Sequence, residues 1–233
     1  MFHSPCPDAC LDATALAGIL SRLYERGPDG IIFDCDGVLV DSAPTNIHYY
    51  NLLRERLGLP PMSEEQERYV HMSTVAQAIE AIIPAPMRPA LREVSASVSY
   101  TRDILPLVTP FEGLRELLDA CRGQGLRLGV HTNRLSTMPE LLAHCDFTEY
   151  FDPVITVARA QPKPHPEGTL LVLEHWGMPP ERALFVGDSS TDRDAARAAG
   201  VPFLAFRADD LSPQGCCCAY RDLLAALRSL WAA

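Results

Sequence analysis

Lysine is almost absent from this chain of 233 residues: there is one, Lys163, beside nineteen arginines. Cationic side chains are also outnumbered, 20 against 30 acidic, for a formal net charge of −10. That balance excludes the clustered Lys and Arg surface on which nucleic-acid binding depends. Long apolar runs are missing too, since none approaches the roughly 18 residues that span a bilayer. The opening residues, Met1 to Asp8, lack the basic start and apolar core of a signal peptide. These absences lead us to expect a soluble cytoplasmic protein, monomer or homodimer, with no nucleic-acid or membrane partner. The hydrophobic fraction of 47% and charged fraction of 21% are ordinary for a globular chain. The length accommodates one domain with an insertion, or two small domains.

Cysteine is not scarce: Cys6, Cys10, Cys35, Cys121, Cys145 and the run Cys216-Cys217-Cys218 make eight. Cys6 and Cys10 with the C-terminal run suggest a zinc site at first sight. The spacing departs from paired-Cys patterns, and adjacent cysteines ligate one tetrahedral ion poorly. Free thiols in a reducing cytosol are the expected state. Cys121 falls on an apolar helix face and is expected in the core.

The stretch Ile31-Ile32-Phe33-Asp34-Cys35-Asp36-Gly37 organises the rest. It begins apolar enough for a buried parallel strand and ends in two carboxylates and a glycine. A carboxylate pair leaving a buried strand is costly without a positive partner. Ligands of open α/β sheets bind outside the carboxyl ends of the strands. The arrangement therefore points to a metal ion, a phosphate, or both, with a calcium loop or solvated turn as the bland alternative. Gly37 permits a sharp turn where a side chain would clash.

Before this strand, residues 11–26 carry an apolar stripe of Leu16, Ile19, Leu20 and Leu23, which predicts a helix packed outside the core. After Ser42 the pattern turns helical. Tyr50, Leu53 and Leu57 mark one helix, Val75 to Ile82 a second, and Leu91 to Val98 a third, with no convincing strand over 44–107. Alternation resumes afterwards. Strands are expected at Leu126–Val130, Pro153–Val157, Ala183–Val186 and Val201–Phe206. Helices are expected around Leu114–Cys121, Pro139–Cys145, Glu167–Trp176, Arg193–Ala199 and Tyr220–Trp231. This predicts an α/β fold with a doubly wound parallel sheet.

Motifs near the strand ends converge. Asp34 and Asp36 follow the first strand, Thr132 and Asn133 the second, Lys163 the loop after the third, and Asp188, Ser189 and Asp192 the fourth. Parallel connection rules gather these ends at one edge. Asp34-Cys35-Asp36-Gly37-Val38-Leu39-Val40-Asp41-Ser42, taken with Thr132, Lys163 and Asp188, resembles the four ordered motifs of the haloacid dehalogenase superfamily in its phosphatase branch. The resemblance covers about residues 30 to 207. It implies a Rossmann-like core formed by 1–43 and 108–233, with 1–29 an N-terminal helical extension and 44–107 an inserted helical cap.

The resemblance also implies roles. Asp34 is the expected nucleophile, forming an aspartyl-phosphate, and Asp36 the general acid and then base. The dehalogenases lack an aspartate at the latter position, so Asp36 favours phosphoryl transfer. Asp34, the Asp36 carbonyl and Asp188 are expected to hold Mg2+, a hard cation suited to oxygen ligands. Thr132, Asn133 and Lys163 are the expected phosphate-binding set, with Lys163 presented by Gln161-Pro162-Lys163-Pro164-His165-Pro166. Asp192 and Ser189 are expected behind the metal ligands, with Asp192 there or holding a metal-bound water; the alternative for Asp192 is a carboxylate favoured by a helix N-terminus. Ser189 and Ser190 read as turn and capping residues. Arg134, where many relatives carry Lys, faces either substrate or solvent.

Substrate choice is expected in the cap, whose polar candidates include His48, Tyr49, Arg54, Arg68, His71, Ser73, Arg88 and Arg102; most of these are expected to be solvated helix faces or cap-packing groups, with His71-Met72-Ser73 as the favoured substrate-facing turn. Residues 44–107 hold six Arg against seven acidic residues, so no funnel for a polyanion is expected. They hold no lysine, which excludes the Schiff-base chemistry of the superfamily's phosphonoacetaldehyde hydrolases. The expected enzyme is a Mg2+-dependent phosphatase of a small phosphorylated metabolite, similar to phosphoglycolate phosphatases. The alternatives are a sugar phosphomutase resembling β-phosphoglucomutase, an inorganic pyrophosphatase, or a non-catalytic binding module.

Overall fold

A computed structural model describes residues 10–71, 75–211 and 216–232. The chain forms two compact units, one running from Asp41 to Thr109 and the other combining the segments before and after it.

The larger unit opens with β1 (Cys10–Leu11) and α1 (Ala13–Leu23). Asp12 caps α1 by accepting from the Ala15 amide at 2.8 Å. Leu16 and Leu20 are its buried face, and Tyr24 just beyond it donates its hydroxyl to the Ala183 carbonyl. β2 (Gly30–Phe33) follows, buried at every position. Four apolar or small residues buried on both faces are what a central parallel strand requires.

After the insertion come α6 (Leu114–Gly123), β3 (Arg127–His131), α7 (Met138–His144), β4 (Val154–Ile155) and α8 (Glu167–Trp176), once α2 to α5 are counted below. Then β5 (Ala183–Gly187), α9 (Ser190–Ala198), β6 (Phe203–Ala205), β7 (Cys216–Cys217) and α10 (Tyr220–Trp231) complete the unit. The five-stranded sheet has the order β4-β3-β2-β5-β6 and is parallel throughout. The chain winds outward from β2 in both directions, so the expected doubly wound α/β sheet is the observed one. Ile32, Phe185, Val172 and Trp176 anchor one core face. α1 packs on α10 at the outside.

β4 is shorter than the expected Pro153–Val157. Pro153 has no amide to donate, so it serves only as acceptor for Val130, and paired residues begin at Val154.

The second unit is helical: α2 (Ala43–Arg56), α3 (Glu64–His71), α4 (Val75–Ile82) and α5 (Leu91–Ser97), with a 3-10 turn at Ala85–Ala90. Tyr50, Leu53, Val70, Ala78 and Ile82 form its core. α3 was not among the expected helices because four of its eight residues are charged and its first five carry no apolar side chain. Its start carries a readable signal, however: Ser63 and Gln66 exchange side-chain-to-amide bonds as a capping box.

Several polar candidates of this unit take the packing and ion-pairing roles expected of most of them. Arg54 is buried and donates to the carbonyls of Pro60, at 2.7 Å, and Ile82, so it is a strut inside the unit rather than a substrate contact. Arg88 likewise donates to the carbonyls of Ile83 and Glu80 at the end of α4. Arg102 pairs with Asp103. Met72, Ser73 and the side chain of His71, the favoured turn, lie outside the described residues.

The cysteines also need correction. Cys10 and Cys218 form a disulfide across 208 residues, where free thiols were expected. The cause is a long-range pairing: β1 lies parallel to β7, with Cys10 opposite Cys216. Cys6 lies outside the described residues. Cys121 is buried in the core on α6, where its apolar face placed it.

Candidate active site

Asp34 leaves β2 with its amide still bonded to the Val186 carbonyl of β5, so the first carboxylate is fixed by the sheet itself. The chain then turns tightly: the amides of Val38, Leu39 and Val40 all point at the Cys35 carbonyl, and Gly37 donates to Val40. Gly37 has φ +73°, and a Cβ there would stand 1.8 Å from Asp188 Oδ2. Only glycine lets this turn close on Asp188, which follows β5.

Lys163 is buried, with its side chain 3% exposed. Its Nζ donates to Asp34 Oδ1 at 2.6 Å, to Asp192 Oδ1 at 2.5 Å and to the His131 carbonyl at 3.0 Å. All three ammonium donors are therefore used. The loop carrying Lys163 is clasped by Asn133, whose Oδ1 accepts from the Lys163 amide at 2.8 Å and whose Nδ2 donates to its carbonyl at 3.2 Å. The structure thus places Asn133 against the backbone of Lys163. Thr132 is buried beside it, its Oγ1 accepting from the Arg134 amide at 3.2 Å.

Asp192 sits in the first turn of α9 and is fully buried. Its second oxygen, Oδ2, accepts from the Ser189 amide at 3.0 Å and hydroxyl at 2.6 Å, while Ser189 Oγ accepts from the Asp192 amide. Ser189 is thus the N-cap of a reciprocal capping box. Both Asp192 oxygens are occupied, one by the cap and one by Lys163. Asp192 stands at the helix end, as one of its two expected readings has it, and the same carboxylate also holds Lys163.

The structure adds a contact that the sequence did not predict. Arg134 grips Asp36 through both nitrogens of its fork, Nε to Oδ2 and Nη2 to Oδ1, each at 2.7 Å. The position of Arg134 two residues after Thr132 was its only sequence signal. His131, at the end of β3, is also engaged: its Nδ1 lies 2.9 Å from Thr169 Oγ1. Burial, helped by the Lys163 charge, lowers its pKa to about 3, so it is neutral.

The electrostatics of the cluster are unbalanced. Carboxylate oxygens of Asp34, Asp188 and Asp192 lie within 4.8 Å of one another, with Lys163 as the ammonium among them. Burial raises the pKa of Asp34, and Asp192 and Asp36 add to the shift against the pull of Lys163. Burial likewise raises Asp188, reinforced by Asp34 and Asp192. Burial works to lower Lys163, but the carboxylates of Asp34 and Asp192 outweigh it and keep the ammonium charged. Further positive charge is what this oxygen-rich pocket lacks, and a hard cation fits it.

The sequence profile of the haloacid dehalogenase-like hydrolases matches residues 31–206. The chain is 32% identical over 192 residues to the N-acetylmuramic acid 6-phosphate phosphatase of Pseudomonas aeruginosa, covering 79% of this chain and 84% of that protein. It is 32% identical over 198 residues to the phosphoglycolate phosphatase of Escherichia coli K12, covering 74% and 79%. Among solved structures, a haloacid dehalogenase superfamily hydrolase of subfamily IA from Geobacter sulfurreducens superposes with a TM-score of 0.72 at 40% identity, over 78% of this chain and 88% of that one. The matched span contains every aspartate and the lysine of the cluster, and the chain belongs to the haloacid dehalogenase-like hydrolase family.

Proposed function

We propose that this hydrolase is a Mg2+-dependent phosphatase of small phosphate monoesters, with Asp34 as nucleophile. The observation that carries the reading is the buried chain Asp34–Lys163–Asp192 with Asp188 drawn against it by Gly37. Lys163 fixes Asp34 through one oxygen, which leaves the other to attack phosphorus. An Asp34–phosphorus bond forms as the bond from phosphorus to the leaving oxygen breaks. Asp36 gives its proton to that oxygen. It then takes one from the water that attacks phosphorus and releases Asp34. Because Arg134 holds both Asp36 oxygens as an ion pair, Asp36 has to release one arm of the fork and take up a proton from solvent before it can give one to the leaving oxygen.

Asp34, the backbone carbonyl of Asp36 and Asp188 would hold Mg2+, an assignment supported by the all-oxygen donor set and the mutual repulsion of the Asp34 and Asp188 carboxylates. When bound, the ion supplies positive charge that neutralises the transferred phosphoryl group. Asp192, which accepts from both Lys163 and Ser189, positions the lysine. Thr132 and the amides after it would cradle phosphoryl oxygens. The helical unit Asp41–Thr109 is the proposed cap that selects the substrate.

The two curated relatives are named for phosphate esters of carboxylic acids, which favours a substrate bearing both groups. The test is phosphate release from phosphoglycolate, N-acetylmuramic acid 6-phosphate, sugar phosphates and pyrophosphate, with Mg2+ and with chelator. Metal-dependent release from a monoester is expected. Release from pyrophosphate alone, isomerisation of glucose 1-phosphate without net release, or silence from folded protein would overturn the reading.

A further inference from the structure

The C-terminal cysteine run has no part in the phosphate chemistry, yet it is assembled with care. Strand alternation puts Cys216 and Cys218 on one face and Cys217 on the other. Cys217 accordingly turns away and donates its thiol to the Ala219 carbonyl. Cys216 Sγ lies 3.5 Å from Cys218 Sγ, and Cys218 is bonded to Cys10. Three sulfurs thus lie within 4.8 Å of one another, two of them buried. A disulfide uses only two. Cys216, fully buried and placed opposite Cys10 in the β1–β7 register, is not explained by that bond. The objection that neighbouring cysteines ligate one ion poorly also lapses, because the residues that converge are i and i+2.

We propose that Cys10, Cys216 and Cys218 form a thiolate site for Zn2+ in the reduced protein, and that the disulfide is its oxidised, metal-free state. A dithiol or phosphine reductant supplies two electrons, the Cys10–Cys218 bond breaks, and the reductant is oxidised. Zn2+ then displaces the thiol protons to solvent and takes these three sulfurs as ligands. Soft sulfur donors separate this site from the carboxylate pocket, which selects hard cations. Either state ties the N-terminal strand to the segment that enters α10.

The test uses the full chain, stripped of metal, reduced anaerobically with a phosphine and held in excess Mg2+ to occupy the carboxylate pocket. Co2+ is titrated as the probe. The expected result is a thiolate-to-cobalt charge-transfer band saturating at about one ion per chain and bleached by Zn2+. Cys216→Ser and Cys10→Ser should each weaken Co2+ binding more than tenfold, and Cys217→Ser should not. Cys10 is exposed, so its variant keeps the test valid even if Cys216→Ser fails to fold. No band in the reduced wild type, or a band unchanged in Cys10→Ser, overturns the proposal.

Discussion

Arg134 and Asp36, ninety-eight residues apart, meet in a two-armed ion pair with both contacts at 2.7 Å. A planar fork matched to a carboxylate fixes the plane of Asp36 as well as its position. Arg134→Ala should therefore lower kcat by roughly tenfold to a hundredfold through lost orientation. Arg134→Lys should recover only part of it, since an ammonium supplies charge without the fork. Steady-state kinetics beside thermal melts will check this. Unchanged kcat in both variants would remove Arg134 as a positioning residue.

Lys163 joins two carboxylates in a buried setting. Lys163→Met leaves Asp34 and Asp192 uncompensated and should cost about 3–5 kcal/mol of stability, with loss of turnover. Lys163→Arg should also be inactive, because the broader guanidinium does not fit between two carboxylates and the His131 carbonyl. Chemical denaturation and phosphate release measure the two effects separately. A Met variant as stable as wild type would mean that the cluster is not held by this lysine.

Gly37→Ala places a methyl group where Asp188 Oδ2 now lies and forces a positive φ on a residue with a side chain. Asp188 must move. The expected outcome is loss of most activity and weaker Mg2+ activation, with the sheet intact by circular dichroism. Wild-type Mg2+ dependence in this variant would show that Asp188 has no fixed role.

The raised carboxyls of the metal-free site make stability depend on pH. Asp34 and Asp188 bind protons more readily folded than unfolded, where the ordinary value is 3.8. The folded state then carries more protons between pH 3.8 and the raised values of about 7 for Asp34 and about 8 for Asp188, so stability falls as pH rises across that range and levels off above it. His131 acts in the opposite sense, but only below its ordinary value of 6.5. The metal-free protein should therefore melt lower at about pH 8 than at pH 6.5, by up to about 1.4 kcal/mol per carboxyl and pH unit. Mg2+ should remove most of that slope, and Asp188→Asn should reduce it. Melting curves across this range decide the point; a slope unaffected by Mg2+ would argue against a metal between these carboxylates.

The sheet was legible because its strands are apolar runs punctuated by Gly, Pro and acidic exits, as at Ile31–Gly37 and Ala183–Asp188. Residue types at those exits also marked the cluster. What escaped was pairing at long range. Nothing local links Asp36 to Arg134, or Cys10 to Cys218, until β3 is laid beside β2 and β7 beside β1. The clasp of Asn133 on the Lys163 backbone likewise depends on a loop thirty residues away. α3 escaped for another reason: Glu64-Glu65-Gln66-Glu67-Arg68 has no apolar stripe, and only its capping box announces it.

The most direct measurement is acid-quenched trapping during turnover of a labelled phosphate monoester with Mg2+. Borohydride reduction then converts any aspartyl-phosphate to homoserine, which peptide mapping can locate. Label should sit on the protein before reduction and be released by it as homoserine appears at position 34; neither should occur in Asp34→Asn, which should be folded and inactive. Turnover retained by Asp34→Asn, or label trapped at another side chain, would contradict it.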